Sequence, residues 1–596
     1  MSSFPKGTWF HRYGELLLGF VCVAIYAAVT LWPATREFWH PQGVPNMLSD
    51  GTDPRGLLWA YEIIWDTLKT NPSRLLYGAI YSEMRDAPGA TALWIPFVER
   101  ALVIMMHPIT NENTITTAVV WGFLVLNGMS AIWMGRSFRW PWFLTLPMAL
   151  AFECNPFTRG RAVVHMGLAG IFYLPLILGS IERVCRMDPW EPPGQRDSTL
   201  IKCALAFLLA ASSAHYYIIV TIGTVPMFAF FFFRRAKAFP NAGLFTRLKW
   251  LGLAALPSVL FVGWCFKMAV PRSLRHNVMA YPEADPAVNI QYLHDVGAHA
   301  IDYVAGDVKN GIRDVFPWRE KLNLFIRQNL DYSHPQERAN GIRWVFLFLG
   351  LLALLFVLAW TAKTVEERRT HGLIGFAFML ALYAFLLSLS PRGLKSYEDE
   401  LGPSLLLYKL IPNFRVPSRF GPTVGLAVMM AATEFLSQFW RKPKSFDWFS
   451  KSAAFIVLMG FSVGEFLPLE NVISTALRPA RKELEHPGKV CGMGIFLPFS
   501  TYDYWAYEET RGTRCALVYP SSEKEAARLE AATRNDASTI ELAKCMGVDW
   551  LVFRNGAANA PSVCKALDFQ MVSQDSCRRA QPTPQKRTFA QCGGRR

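Results

Sequence analysis

Apolar residues fill eleven stretches of near membrane-crossing length: 15–33, 114–134, 140–154, 166–181, 200–213, 217–233, 250–270, 344–362, 372–389, 422–440 and 452–467. A span needs about 20 mostly apolar residues, and fewer where the bilayer thins or flanking side chains snorkel. Other segments carry different periods. Leu58, Tyr61, Ile64, Trp65 and Leu68 recur at helical spacing with Glu62, Asp66 and Lys69 off that face, which predicts a helix lying on the membrane surface. Trp94, Phe97, Leu102 and Met105 predict a second such helix within 93–106. After residue 470 the pattern shortens. Strand-like runs at 489–497, 515–519, 549–553 and 569–573 surround helical runs at 523–533 and 538–546. The expected fold is mainly α: a polytopic transmembrane bundle of about 11 spans over residues 1–469, then a small α/β domain at 470–580 and a disordered basic tail at 581–596.

Composition agrees with the pattern. Of 596 residues, 52% are hydrophobic, 14% aromatic and only 18% charged, which favours a membrane protein over several soluble domains. The net charge of +15 would suit nucleic acid, but its placement argues against that partner. Lys6 and Arg12, Arg136 and Arg139, Arg183 and Arg186, Arg234, Arg235 and Lys237, Lys363, Arg368 and Arg369, and Arg441, Lys442 and Lys444 fall on alternate loops, which the positive-inside rule assigns to the cytoplasm. The N-terminus is then cytoplasmic and the C-terminal domain extracytoplasmic. The first apolar stretch is too long for a signal peptide and lacks a small-residue cleavage site, so it reads as a retained anchor. Cys491, Cys515, Cys545, Cys564, Cys577 and Cys592 crowd the last part of the chain, an even set suited to an oxidising compartment. No cysteine or histidine spacing suggests zinc.

Three outer loops are long enough to carry function: 34–113, 271–343 and 391–421. The first holds Asp50 and Asp53. Pro54 breaks any incoming helix and fixes Asp53 in place, either as a cap of the following helix or as a reacting carboxylate. Glu83, Asp86 and Glu99 in the same loop read as solvated or capping charges. Residues 155–165, NPFTRGRAVVH, put Arg159 and Arg161 on the outer side against the topological bias, which calls for an anionic partner; His165 follows at the mouth of the next span. In the third loop Pro412 and Pro417 punctuate a turn that aims Arg415 and Arg419, whose planar forks match phosphate. Together these side chains sketch an anion site opposite the acidic first loop. The second loop reads as a lid over the first. Charges at mid-span are too sparse for a proton-coupled transporter, and no internal repeat is present.

These residues resemble bacterial integral-membrane glycosyltransferases of the GT-C fold, particularly the branch that includes YfhO-like proteins. The resemblance rests on Asp53, Pro54, Trp59 and Trp65 followed by Asn71-Pro72, on the segment 155–165 with its histidine, and on the turn PNFRVPSRF at 412–420. The strands LPFSTYDYW at 497–505 and GVDWLVF at 547–553 are similar to those of the small outer module such chains often carry. The chain departs at YSEMRDAPGA, residues 81–90, where members have a tyrosine-proline-glycine signature, and at Met166, where a leucine-glutamine pair is usual.

The resemblance implies transfer of a sugar from a polyprenyl-phosphate donor to an extracytoplasmic glycan, lipid or protein acceptor. Asp53 is the expected general base, with Asp50 its neighbour, while Arg159, Arg161, His165, Arg415 and Arg419 hold the donor phosphate among membrane lipids. No cofactor is demanded, although a divalent metal, magnesium or manganese, is compatible with Asp53; no metal ligand set stands out. Two other readings fit the same residues: a lipid or glycan translocase without chemistry, and a non-catalytic envelope assembly protein.

Overall fold

The computed structural model describes residues 9–32, 54–70, 72–76, 95–110, 114–239, 241–265, 293, 296–304, 321, 340–362, 364–390, 402–410, 416–441, 448–464, 481, 484, 492–497, 515–517, 523–554, 559–580 and 592. The helices are α1 (Trp9–Thr30), α2 (Pro54–Thr70), α3 (Phe97–Met106), α4 (Ile115–Phe138), α5 (Trp142–Glu153), α6 (Pro156–Val164), α7 (Tyr173–Arg186), α8 (Pro193–Ala211), α9 (His215–Ala238) and α10 (Leu244–Trp264). They continue with α11 (Trp344–Ala359), α12 (Val365–Ser388), α13 (Pro403–Leu410), α14 (Gly421–Arg441) and α15 (Trp448–Gly464). Within the described residues, each of the eleven apolar stretches overlaps one of these helices. Ile115–Phe138, Met166–Arg186, Leu244–Trp264, Val365–Ser388 and Pro417–Trp440 are long and apolar enough to cross a membrane, and Gly14–Thr30, Trp142–Glu153, Trp344–Ala359 and Lys451–Gly464 are shorter apolar helices.

Burial sorts the helices into centre and periphery. In α4 and α14 the most apolar window is 83% buried, whereas in α10 it is 22% buried, so α10 turns most of its apolar surface outward. The core runs through α1, α4, α5, α7, α12 and α14, with Val119, Phe123, Phe152, Leu174, Ile374 and Met430 inside it.

Side-chain contacts define two ends. At one end, Trp140 Nε1 and Thr370 Oγ1 donate to Glu434, Arg183 donates to Ser137, and Arg235 binds Glu182, which joins loops separated widely in sequence. These are loops that the charge pattern assigned to one side, and the fold gathers them. At the other end, Arg343 reaches Tyr26 and Cys154, and Tyr26 reaches Ser462 and Val463. The second long loop docks there too. Ala298 pairs in a parallel bridge with Leu389, and Tyr303 donates to Ser388 Oγ at 2.5 Å. The described part of that loop thus seats on the end of α12; its expected role as a lid over the first loop falls outside the described residues.

The C-terminal segment contains β1 (Gly492–Leu497), β2 (Cys515–Leu517), β3 (Trp550–Phe553), β4 (Gln570–Ser573) and β5 (Ser576–Arg578), in the order β2-β1-β3-β5-β4. The first three are parallel, while β5 pairs antiparallel with β3 and β4. Helices α16 (Glu523–Ala532), α17 (Asp536–Met546) and α18 (Ala560–Ala566) complete it. The four expected strands are there, but β5 and α18 had no clear signal: each is short, and α18 begins with alanine-proline. Disulfides join Cys545 to Cys592 and Cys564 to Cys577. Cys592 lies within the basic tail.

Candidate functional site

The end of the bundle near Arg343 is built on the junction of α5 and α6. Asn155 caps α6: its Oδ1 accepts from Thr158 N at 3.1 Å, and Pro156 follows at the first helical position. That is a strong helix start, because the cap meets an orphan N–H and proline has none to lose. It forces α6 to leave α5 at a break, and Asn155 Nδ2 ties the break shut on Phe152 O at 2.7 Å.

The break carries Arg159 and Arg161 inward. They are 1% and 0% exposed, respectively, although the sequence placed them as outer charges. The Arg161 guanidinium lies 5.1 Å from the ring centre of Phe157, and the charge of Arg159 acts on Tyr26 and Cys154. Arg343, also 0% exposed, donates from Nη2 to Tyr26 Oη and to Cys154 O, both at 3.0 Å. Glu153 is fully buried beside them. His165 ends α6 half-buried, donating its N–H to Arg161 O at 3.0 Å.

The proline-flanked turn of the third loop arrives at the same place. Val416 leads into a 3-10 turn, Pro417–Phe420, that runs directly into α14. Asn340 Nδ2 donates to Ser418 O at 3.1 Å. A recess is lined by Asn155, Phe157, Asn340, Gly341, Gly421 and Pro422, so the segments bearing Arg159 and Arg419 share a wall. Gly421 is required there: a Cβ on it would stand 1.9 Å from Asn340 Oδ1.

The first outer loop packs onto this end through α2 and α3, both of which contact α4. Their charges differ from expectation. Glu62, read as off the apolar face, is 7% exposed and lies 3.2 Å from His107 Nε2, whose ring stacks on Trp65 at 4.4 Å. Glu99, read as solvated, is 1% exposed and accepts from Tyr61 Oη at 2.5 Å. Burial raises its carboxyl to about 7, against the opposing pull of the Tyr61 hydroxyl and the Arg100 charge. Burial likewise pushes the Tyr61 phenol well above its usual range, with the Glu99 charge adding to it. Arg100 turns the other way and donates to Ile95 O and Leu75 O at 2.8 and 2.5 Å. Glu99 also presses on the segment after His165: a Cβ on Gly167 would meet Glu99 Oε2 at 2.8 Å. Tyr217 stacks on Tyr173 at 4.7 Å and donates to Leu168 O, closing that segment from the side of α9.

Asp50, Asp53 and Arg415 lie outside the described residues. Asp53 directly precedes Pro54, where α2 begins. Of the remaining expected site residues, Arg159, Arg161 and His165 sit together on one short helix, and Arg419 is half-buried in the turn across the recess. Sequence reasoning missed Arg343 and Asn340, and it passed over Glu99 as a site residue. The available signals were a charged residue abutting Trp344 at a span start, and the pair Glu99-Arg100 inside an otherwise apolar run. Among the described residues no three histidine, cysteine, aspartate or glutamate side chains converge to hold a metal ion. The arrangement gathers the buried guanidiniums of Arg159, Arg161 and Arg343 at this end and holds one carboxyl, Glu99, able to exchange a proton near neutral pH.

No family model matches the chain, and no curated protein matches it. Among solved structures it is similar to the oligosaccharyltransferase of Archaeoglobus fulgidus in the apo form, at 12% identity and a TM-score of 0.43, over 92% of this chain and 70% of that one. It is also similar to ArnT from Cupriavidus metallidurans in the apo state, at 12% identity and a TM-score of 0.36, over 95% and 98% of the two chains. The same ArnT bound to undecaprenyl phosphate gives 12% identity and a TM-score of 0.32, over 96% and 99%.

Proposed function

We propose that the chain is a multi-pass membrane glycosyltransferase that moves a sugar from a polyprenyl-phosphate donor to an extracytoplasmic glycan, lipid or protein. One observation supports this reading: Glu99 of the acidic first loop meets Gly167, two residues beyond His165 on the chain that carries Arg159 and Arg161. In the proposed reaction the acceptor oxygen attacks the anomeric carbon as the bond to the lipid phosphate breaks. Asp53 takes the acceptor proton, with Asp50 beside it in sequence. The phosphate departs with the bonding electrons as an anion held by Arg415, Arg419, Arg159, Arg161 and His165. One displacement inverts the anomeric centre, because no enzyme carboxylate forms a covalent intermediate. In this reading the alternation of basic loops supports an N-terminus in the cytoplasm and a C-terminal domain outside a bacterial inner membrane.

The test is glycan profiling of the cell envelope in a strain lacking the protein, complemented with wild type or Asp53→Asn. A sugar that disappears and returns only with wild type supports the transferase. Equal restoration by both would assign Asp53 to capping α2 and favour translocation without chemistry.

A further inference from the structure

The first outer loop holds a buried acid that the proposed chemistry does not use. α2 turns Glu62 inward, where it is 7% exposed, and the chain after α3 brings His107 against it, with Nε2 3.2 Å from Glu62 Oε1. The imidazole lies nearly parallel to the ring of Trp65, with 4.4 Å between centres. Trp65 follows Glu62 by three positions, so one face of α2 presents a carboxylate and an aromatic ring to the same side chain. His107 directly follows the last residue of α3, so this contact ties α2 to the end of α3.

The contact changes strength with protonation. A neutral imidazole can donate Nε2–H to Glu62, but it brings no countercharge to a carboxylate that is largely out of water. The protonated ring supplies that charge at hydrogen-bond distance and adds its attraction for the face of Trp65. An imidazole ordinarily takes up this proton near about pH 6.5. Among the described residues, the other charges nearby do not reverse the sign. Asp66 and Lys69 on α2 pair with each other at 3.8 Å and are about half exposed, so solvent screens Lys69 where it lies 5.0 Å from the Trp65 ring. Arg100 on α3 donates to Ile95 O and Leu75 O, and α4, which packs on both helices, has no charged residue before Arg136. Glu99 acts in the same direction. Its carboxyl, raised by burial to about 7, loses the proton that keeps it neutral beside Tyr61 as the medium turns alkaline. Tyr61 and Glu62 are adjacent, so two neighbouring contacts between α2 and the α3 segment weaken together as pH rises.

We propose that Glu62, Trp65 and His107 form a protonation-dependent latch that holds α2, and with it the chain at Asp53, on the α3 segment in acidic medium and loosens as the medium turns alkaline. The latch stands on this geometry; that it regulates sugar transfer rests on the function proposed above. The test is hydrogen exchange of the full chain in detergent, read at the α2 amides between pH 5 and pH 8 and corrected for the intrinsic exchange rate. Glu99→Gln serves as the parent, so that Glu99 contributes no titration. Protection of α2 in the parent should fall about tenfold over this range. Adding Glu62→Gln, or His107→Phe, which keeps a ring against Trp65, should flatten the profile and leave protection in α4 unchanged. Adding Asp66→Asn, half-exposed on the same helix, should keep the full fall. A parent whose α2 protection does not change with pH, an equal fall in the Glu62 and His107 variants, or equal flattening by Asp66→Asn would overturn the latch. Exchange is read without substrate, so failure of the latch and failure of the transferase reading are seen separately.

Discussion

Tyr61 on α2 and Glu99 on α3 share a 2.5 Å hydrogen bond in a place sealed from solvent. The bond clamps the two helices of the first outer loop together, and α2 starts at the residue after Asp53. A carboxyl that carries a burial cost is therefore also one that holds together the loop bearing the proposed base.

Glu99 should make stability depend on pH. Its carboxyl lies at about 7 in the fold against an ordinary value of 4.5, so between these values the unfolded chain binds fewer protons than the folded one. This contribution is favourable below pH 4.5, falls as pH rises toward 7, and is then constant, with a total loss of about 3 kcal/mol. Glu99→Gln has no such titration. Thermal unfolding in detergent between pH 5 and pH 8 should show a steeper fall for wild type than for the variant; parallel profiles would refute the assignment.

Arg343 should be a strong structural determinant. Arg343→Ala takes a donor from Tyr26 Oη and from Cys154 O and opens a void, with an expected loss of about 3 kcal/mol or more. Tyr26→Phe removes the Arg343 contact together with the longer bonds to Ser462 O and Val463 O, opens no large void, and should cost about 1–2 kcal/mol. Melting temperatures of the two variants rank these effects.

Gly421→Ala should displace Asn340, since the added methyl would meet its Oδ1 at 1.9 Å and break its bond to Ser418 O. The expected cost is about 1–3 kcal/mol. Combining it with Asn340→Ala frees the space, so a double-mutant cycle should give strong non-additivity.

Removing the Cys564–Cys577 bridge, which closes a separation of 13 residues, should destabilise the C-terminal sheet by about 3 kcal/mol. Hydrogen exchange should rise first in β5 and α18, which carry the two cysteines.

The apolar runs read directly as helices because a span's length and composition are local properties. The charge pattern also identified loops that meet at one end, since it follows chain alternation. Burial of charge was not legible. Glu62, Glu99, Arg159 and Arg161 each read as exposed, because a charged residue on a short helix has no local mark of what will pack over it. Glu99 is covered by Tyr61, 38 residues earlier, and by the segment at Gly167.

What the chain by itself determined is therefore its membrane-bundle character, its strand-bearing C-terminal segment and the residues from which an anion site could be drawn. Only the tertiary structure decided that Arg343 packs on the junction of α5 and α6, that Asn340 lines the recess beside it, that Glu99 is buried, and that three arginines surround Phe239. Periodicity and helix caps act over a few residues and survive in the linear pattern. Desolvation and charge pairing depend on which distant side chains exclude water from a group, and that is settled only when the helices pack.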